Sequence, residues 1–187
     1  MTTRALIIVD VQNDFCTGSL ATERGPEVAA LIGSFLGSET ADLNEYTHVV
    51  ATQDWHIDPG SHFSVHPDFI DSWPVHCKAD TEGAAIHSAI DTSKIVAFFR
   101  KGEYEAAYSG FEGKSEGVLL ADWLREKNVD AIDICGIATD HCVRATALDG
   151  IKEGFQVRVL TGMCAAVDNK RGDQALNEVH AAGAELI

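Results

Sequence analysis

Four short apolar runs, each leading to a polar residue at its carboxyl end, constrain this chain more than any other feature. They are Arg4-Ala-Leu-Ile-Ile-Val-Asp10, Thr47-His-Val-Val-Ala-Thr-Gln53, Lys94-Ile-Val-Ala-Phe-Phe-Arg100 and the segment from Ala131 to Ile137. Runs of this kind read as strands buried on both faces of a parallel sheet, because such strands have no solvated side. Helical patterns stand between them. Pro26 to Leu36 opens with proline and carries Val28, Leu31, Ile32 and Phe35 at helical spacing. Further helices are predicted over 118–127, after Cys142 where Val143, Ala147 and Ile151 recur, and over 170–181. Strands are predicted over 155–160 and 184–187. The alternation predicts an α/β fold, a mostly parallel sheet covered by helices on both faces.

Composition bounds the reading. The chain has 187 residues, 45% of them hydrophobic, which suits a single domain over residues 1–187. The apolar run after Met-Thr-Thr-Arg is too short for a signal-peptide core, and no later run approaches a membrane span, so a soluble, cytoplasmic protein is expected. An odd number of cysteines, five, argues for reduced thiols rather than a disulfide framework. The net charge of -15, with no basic cluster denser than Arg100-Lys101 or Lys170-Arg171, argues against nucleic acid and anionic membranes as partners. A small-molecule substrate is expected, in a monomer or a homo-oligomer.

In a parallel sheet the carboxyl ends of the strands share one edge, and ligands bind there. Asp10, Asp54 with His56, Lys101 and Cys142 fall at those ends. Cys142 lies where a strand gives way to a helix, a place whose unpaired N–H groups and helix dipole favour a thiolate. Asp10 is the candidate base, and Lys101 would stabilise both carboxylate and thiolate. Asp10 as a turn cap, and Lys101 as a solvated loop lysine pairing with Glu103 or Glu105, are the competing readings. His141 points away from its neighbour Cys142 in a helix and is left out of catalysis, whereas Asp140 is read as a cap or support.

A second constellation is Asp54-x-His56-x5-His62-x13-His76. Asp54 and His56 face one side of an extended segment, and the long loop of residues 57–93 can fold His62 or His76 onto them. Carboxylate plus imidazole suits one divalent metal ion, Fe2+, Mn2+ or Zn2+. Phe15, Trp73 and Tyr108 would wall a pocket for a flat ring, with core packing as the alternative for each.

Five blocks in order carry a resemblance over nearly the whole chain: Ile-Ile-Val-Asp10-Val-Gln-Asn-Asp-Phe15, Thr52-Gln-Asp54-Trp-His56, Trp73-Pro-Val-His76-Cys, Lys101-Gly-x-Tyr-x-x-Ala-Tyr108-Ser-Gly-Phe, and Gly136-Ile-Ala-Thr-Asp-His-Cys142-Val. With them the chain resembles the nicotinamidases of the isochorismatase-like cysteine hydrolases. The resemblance implies a three-layer α/β/α fold with a six-stranded sheet and a catalytic triad of Asp10, Lys101 and Cys142. It also implies a metal held by Asp54, His56, His76 and His62, and a substrate, nicotinamide, bound by Phe15, Trp73, Tyr108, Ile137 and Ala138. A cis Ile137–Ala138 peptide is implied as well. The sister reading is an amidohydrolase of the same fold acting on a carbamoyl or ureido compound. One departure from the family pattern is Lys78-Ala-Asp-Thr81, where Val-Gln-Gly-Thr is usual.

Overall fold

The computed structural model describes residues 2–38 and 43–187. Its sheet is built from strands β1 (Arg4–Val9), β2 (Tyr46–Asp54), β3 (Ala97–Lys101), β4 (Lys114–Ser115), β5 (Val118–Leu119), β6 (Ala131–Ile137), β7 (Gln156–Ala165) and β8 (Glu185–Leu186). The helices are α1 (Asn13–Cys16), α2 (Gly25–Gly37), α3 (Leu120–Glu126), α4 (Arg144–Lys152) and α5 (Asn169–Ala181). Strand order is β5-β4-β3-β2-β1-β6-β7-β8, parallel from β3 through β8 and antiparallel at β3–β4 and β4–β5. Chain order reverses between β1 and β6, so the crevice outside their carboxyl ends is the topological switch point where open α/β sheets bind ligands.

Among the described residues the sheet has eight strands, two more than expected. Both additions are two-residue strands in the segment predicted as loop and helix start, and the helix accordingly begins at Leu120 rather than 118. Strands this short carry no readable alternation. A turn at Thr92–Lys94, capped by the Asp91 side chain on Ser93 N–H, delays β3 to Ala97. β7 runs on to Ala165, past the predicted end at 160, and α1 lies within the predicted loop after Asp10.

The strands alternate in the expected way between two cores. Ala5, Ile7, Val9, Ile132 and Ile134 face Leu120, Leu124, Ala147 and Val179 of α3, α4 and α5. Leu6, Ile8, Cys135 and Ile137 face Phe15, Val28 and Ile32 of α1 and α2. Within the second layer Asp133 is fully buried and ion-paired to Arg4 and Arg158, and it accepts the Tyr46 hydroxyl at 2.6 Å. No helix among the described residues is long and apolar enough to cross a membrane.

Gly136 lets the two central strands close up next to the site. It pairs with Val9, has φ of +121°, and an added Cβ would lie 2.1 Å from the Val9 carbonyl oxygen. The next peptide, Ile137–Ala138, is cis, as the resemblance implies. Gly136→Ala meets both an unfavourable φ and a backbone clash, and is expected to destabilise the fold by about 2 kcal/mol or more. Urea unfolding reads this as a lowered midpoint with the slope retained.

Candidate active site

Lys101, the last residue of β3, is 2% exposed, so it cannot be a solvated loop lysine. Its ammonium donates to Asp10 Oδ2 at 2.8 Å and to Asp54 Oδ1, and lies 3.7 Å from Cys142 Sγ. Burial alone would push this amine down, but the Asp10 and Asp54 carboxylates outweigh it and hold Lys101 charged, well above its ordinary range. Asp10 follows β1 with φ of +48°, and Thr52 donates to its Oδ1 at 2.6 Å. Burial raises the Asp10 carboxyl, with Lys101 opposing, whereas at Asp54 the opposing Lys101 charge and histidine contacts win and hold it well below the carboxylate range. Burial pushes the Cys142 thiol well above its ordinary value, again against Lys101. Ligating atoms of Asp10, Asp54 and Cys142 all lie within 4.8 Å of one another.

Cys142 sits in a π-helical turn, Thr139–Val143, that leads from β6 into α4. Its carbonyl accepts the Thr146 hydroxyl at 2.6 Å, fixing the first turn. Asp140 does not cap this helix. Its carboxylate instead accepts the Val167 and Asp168 N–H groups, tying the loop after β7 to the turn.

Asp54 joins this cluster to the histidines. While Oδ1 meets Lys101, Oδ2 lies 3.4 Å from His56 Nε2 and 3.8 Å from His76 Nε2. A carbonyl can only accept, so the 2.6 Å contact of His56 Nδ1 with Gly102 O and the 2.7 Å contact of His76 Nδ1 with Pro74 O place the proton on Nδ1. Both Nε2 lone pairs therefore turn inward, an arrangement typical of metal-ligating histidines. His56, His62 and His76 each bring a nitrogen within 4.8 Å of the others, all buried. His56 Nε2 and both nitrogens of His62 are buried without a hydrogen-bond partner. Burial and the neighbouring histidines lower His62 to about 4, leaving it a neutral donor at physiological pH. Orphaned imidazole nitrogens beside an ionised carboxylate fit a divalent cation. Gly102, at φ of +74°, gives His56 its room, since a Cβ there would lie 2.7 Å from the ring.

A cavity of about 30 Å³ lies between the two groups, with Cys142, Asp54, His62, His76 and Ala138 on its walls. Phe15, Trp73 and Tyr108 complete it, and Trp73 Nε1 donates to the Tyr108 hydroxyl at 3.3 Å. Ile137 is placed otherwise: its side chain is fully buried in the core against α1 and α2, and it reaches the site only through its peptide link to Ala138. Three wall residues were missed in the sequence. Leu20 and Val167 lie in loops without periodicity, and His141 stacks on Tyr108 at 5.9 Å and meets Trp73 edge-on at 5.0 Å. Gln12 was missed too. Its amide accepts from Asp54 N–H and donates to the Asp54 and Ala84 carbonyls, locking the ends of β1 and β2 together. A larger open groove of about 490 Å³ runs along Tyr104, Glu105 and Glu116, but neither Cys142 nor the histidines line it.

Similar proteins share this frame. The family described as Isochorismatase domain matches residues 4–187. The nicotinamidase/pyrazinamidase of Mycobacterium tuberculosis is 53% identical over 186 residues, which cover 98% of each chain. The nicotinamidase of Escherichia coli is 36% identical, covering 100% of this chain and 95% of its own. Among solved structures, PnC1 of L. infantum in complex with nicotinate superposes with a TM-score of 0.86 at 34% identity, covering 100% of this chain and 92% of that one. The pyrazinamidase of Pyrococcus horikoshii in complex with zinc gives 0.81 at 33% identity, covering 98% of both. With its five motifs, its switch-point cysteine and these relatives, the chain belongs to the isochorismatase domain family.

Proposed function

We propose that the protein hydrolyses nicotinamide to nicotinate and ammonia, with pyrazinamide, one ring nitrogen different, as a second substrate. The observation that carries this is the buried contact of Lys101 with Asp10, Asp54 and Cys142 beside an aromatic and histidine-lined cavity. The M. tuberculosis and E. coli relatives supply the substrate class.

The division of labour follows from the two carboxylates. Asp54, held well below the carboxylate range, balances Lys101, while Asp10, whose carboxyl burial raises, is the one of the two suited to exchange a proton. Asp10 takes the Cys142 proton as Sγ bonds to the carboxamide carbon, and Lys101 stabilises the sulfur's developing charge. The Ala138 and Cys142 N–H groups at the strand-to-helix turn stabilise the oxyanion. Asp10 returns the proton to nitrogen, the C–N bond breaks, and ammonia leaves a thioester on Cys142. Water then attacks that carbon, Asp10 takes its proton, and the C–S bond breaks to release nicotinate and restore the thiol. Phe15, Trp73 and Tyr108 hold the ring flat and exclude bulk water.

Asp54, His56, His62 and His76 would hold a divalent metal ion. Bound there, it supplies a Lewis-acidic anchor for the ring nitrogen. The zinc complex of the P. horikoshii relative supports a metal of this class.

Ammonia release from nicotinamide by the purified protein tests the reading. Cys142→Ala is expected to abolish release, and Asp10→Asn to lower kcat by about 10²–10⁴-fold, the range for loss of a positioned base. Full turnover by Cys142→Ala would sink the mechanism, and release only from ureido or carbamoyl compounds would move the protein to the sister activity. His56→Ala and His76→Ala are each expected to lower bound metal at least tenfold, measured by elemental analysis after dialysis against a weak chelator. Undiminished metal in both variants would remove the histidines from the ligand set.

A further inference from the structure

The cavity of about 30 Å³ is narrow and Trp73 forms one of its walls, so the placement of that wall bears on what can reach Cys142. The segment of residues 63–73 carries that wall. It is a knob pinched at its base, where Phe63 bridges Trp73, Ser64 N–H donates to Trp73 O and Trp73 N–H to His62 O. Its tip is a compact turn in which Asp68 Oδ1 accepts the N–H groups of Ile70, Asp71 and Ser72. Phe69 at the tip has φ of +58° and packs edge-on against Trp73 at 6.1 Å. Val65, Phe69 and Ile70 are exposed, so little apolar burial holds the tip down.

A guanidinium from α5 also reaches the tip. Arg171 of α5 donates through Nη1 to the Phe69 carbonyl at 3.3 Å, and its Nε, which has no hydrogen-bond partner, forms an ion pair with Asp140 Oδ2 at 3.5 Å. Asp140 is itself anchored by the Val167 and Asp168 N–H groups, and Val167 also lines the cavity. One cation therefore ties Phe69, and through it Trp73, to the carboxylate that positions Val167 and precedes His141 and Cys142 in the same turn.

We propose that Arg171 is a positioning residue for the ring-binding walls, a latch outside the cavity that holds the Phe69–Trp73 tip closed and sets how often Cys142 is reachable. Its bearing on nicotinamide rests on the proposed function, but access to the thiol does not. The chain's five cysteines are all buried, which makes alkylation a local reporter. The whole protein and Arg171→Ala are treated with iodoacetamide, and each cysteine is followed by peptide mass spectrometry. The expected result is that Cys142 alkylates three- to tenfold faster in Arg171→Ala, the factor given by loss of about one hydrogen bond, while Cys135 and Cys164 keep their protection. An unchanged Cys142 rate overturns the proposal, and so does a rise shared equally by Cys135 and Cys164, which would mark general destabilisation. In the ammonia assay the variant is expected to shift KM for nicotinamide more than kcat. A protein inert on nicotinamide in both forms would sink the nicotinamide reading alone, since the alkylation comparison still decides the role of Arg171.

Discussion

The buried ammonium of Lys101 is the interaction on which the rest of the site depends. An unpaired ammonium in this setting would pay a desolvation penalty of several kcal/mol, so the fold must bring anions to it. Asp10 from the end of β1 and Asp54 from the end of β2 do so, and Cys142 after β6 completes the circle. The same cation that makes burial of two carboxylates tolerable also makes them unequal. Asp54 is additionally faced by His56 and His76, which with Lys101 hold it well below the carboxylate range, whereas at Asp10, bonded to Thr52 and Lys101 and beside Cys142 and Asp54, burial prevails and raises the carboxyl. Two like groups a few ångströms apart are thereby given different chemistry by their neighbours.

Asp54 is also the hinge between thiol chemistry and the imidazoles, since each of its oxygens serves a different group. A conservative change to asparagine would keep the size but replace one acceptor by a donor pointing at either Lys101 or the histidines. The residues behind it are equally committed: Gln12 fastens its backbone, and the Gly102 carbonyl orients His56.

Much of this was legible in the sequence because it lies on regular elements. Apolar runs with polar ends placed Asp10, Asp54, Lys101 and Cys142 on one sheet edge, and strand alternation put Asp54 and His56 on one side. The histidines of the long loop were legible as residue types but not as a geometry, since His62 and His76 reach the site through a loop without periodicity. β4 and β5 were too short to leave a pattern. Ile137 illustrates a different limit: the resemblance implied it in substrate binding, but period-two alternation turns its side chain into the core, leaving only its peptide at the site. His141 is the converse case. A π-helical turn rotates less per residue than an α-helix, so the side chain next to Cys142, left out of catalysis on α-helical geometry, still meets Trp73 and Tyr108 on the cavity wall. Arg171 gave no signal, because a carbonyl acceptor on a distant loop has no residue signature.

The strand order has a consequence for how the chain is made. β1 is hydrogen-bonded to β2 on one side and to β6 on the other, and its contact from Ile7 to Cys135 spans 128 residues. During synthesis the fully apolar stretch Ala5–Val9 therefore waits with one edge unpaired until most of the polypeptide has emerged. Parallel pairing at such separation is slow to close. For all that time Cys142 has neither Asp10 nor Lys101 beside it and is an ordinary thiol. The cluster of Asp10, Lys101 and Cys142 is complete only when β6 docks on β1, so a nascent or partly unfolded chain presents these groups apart.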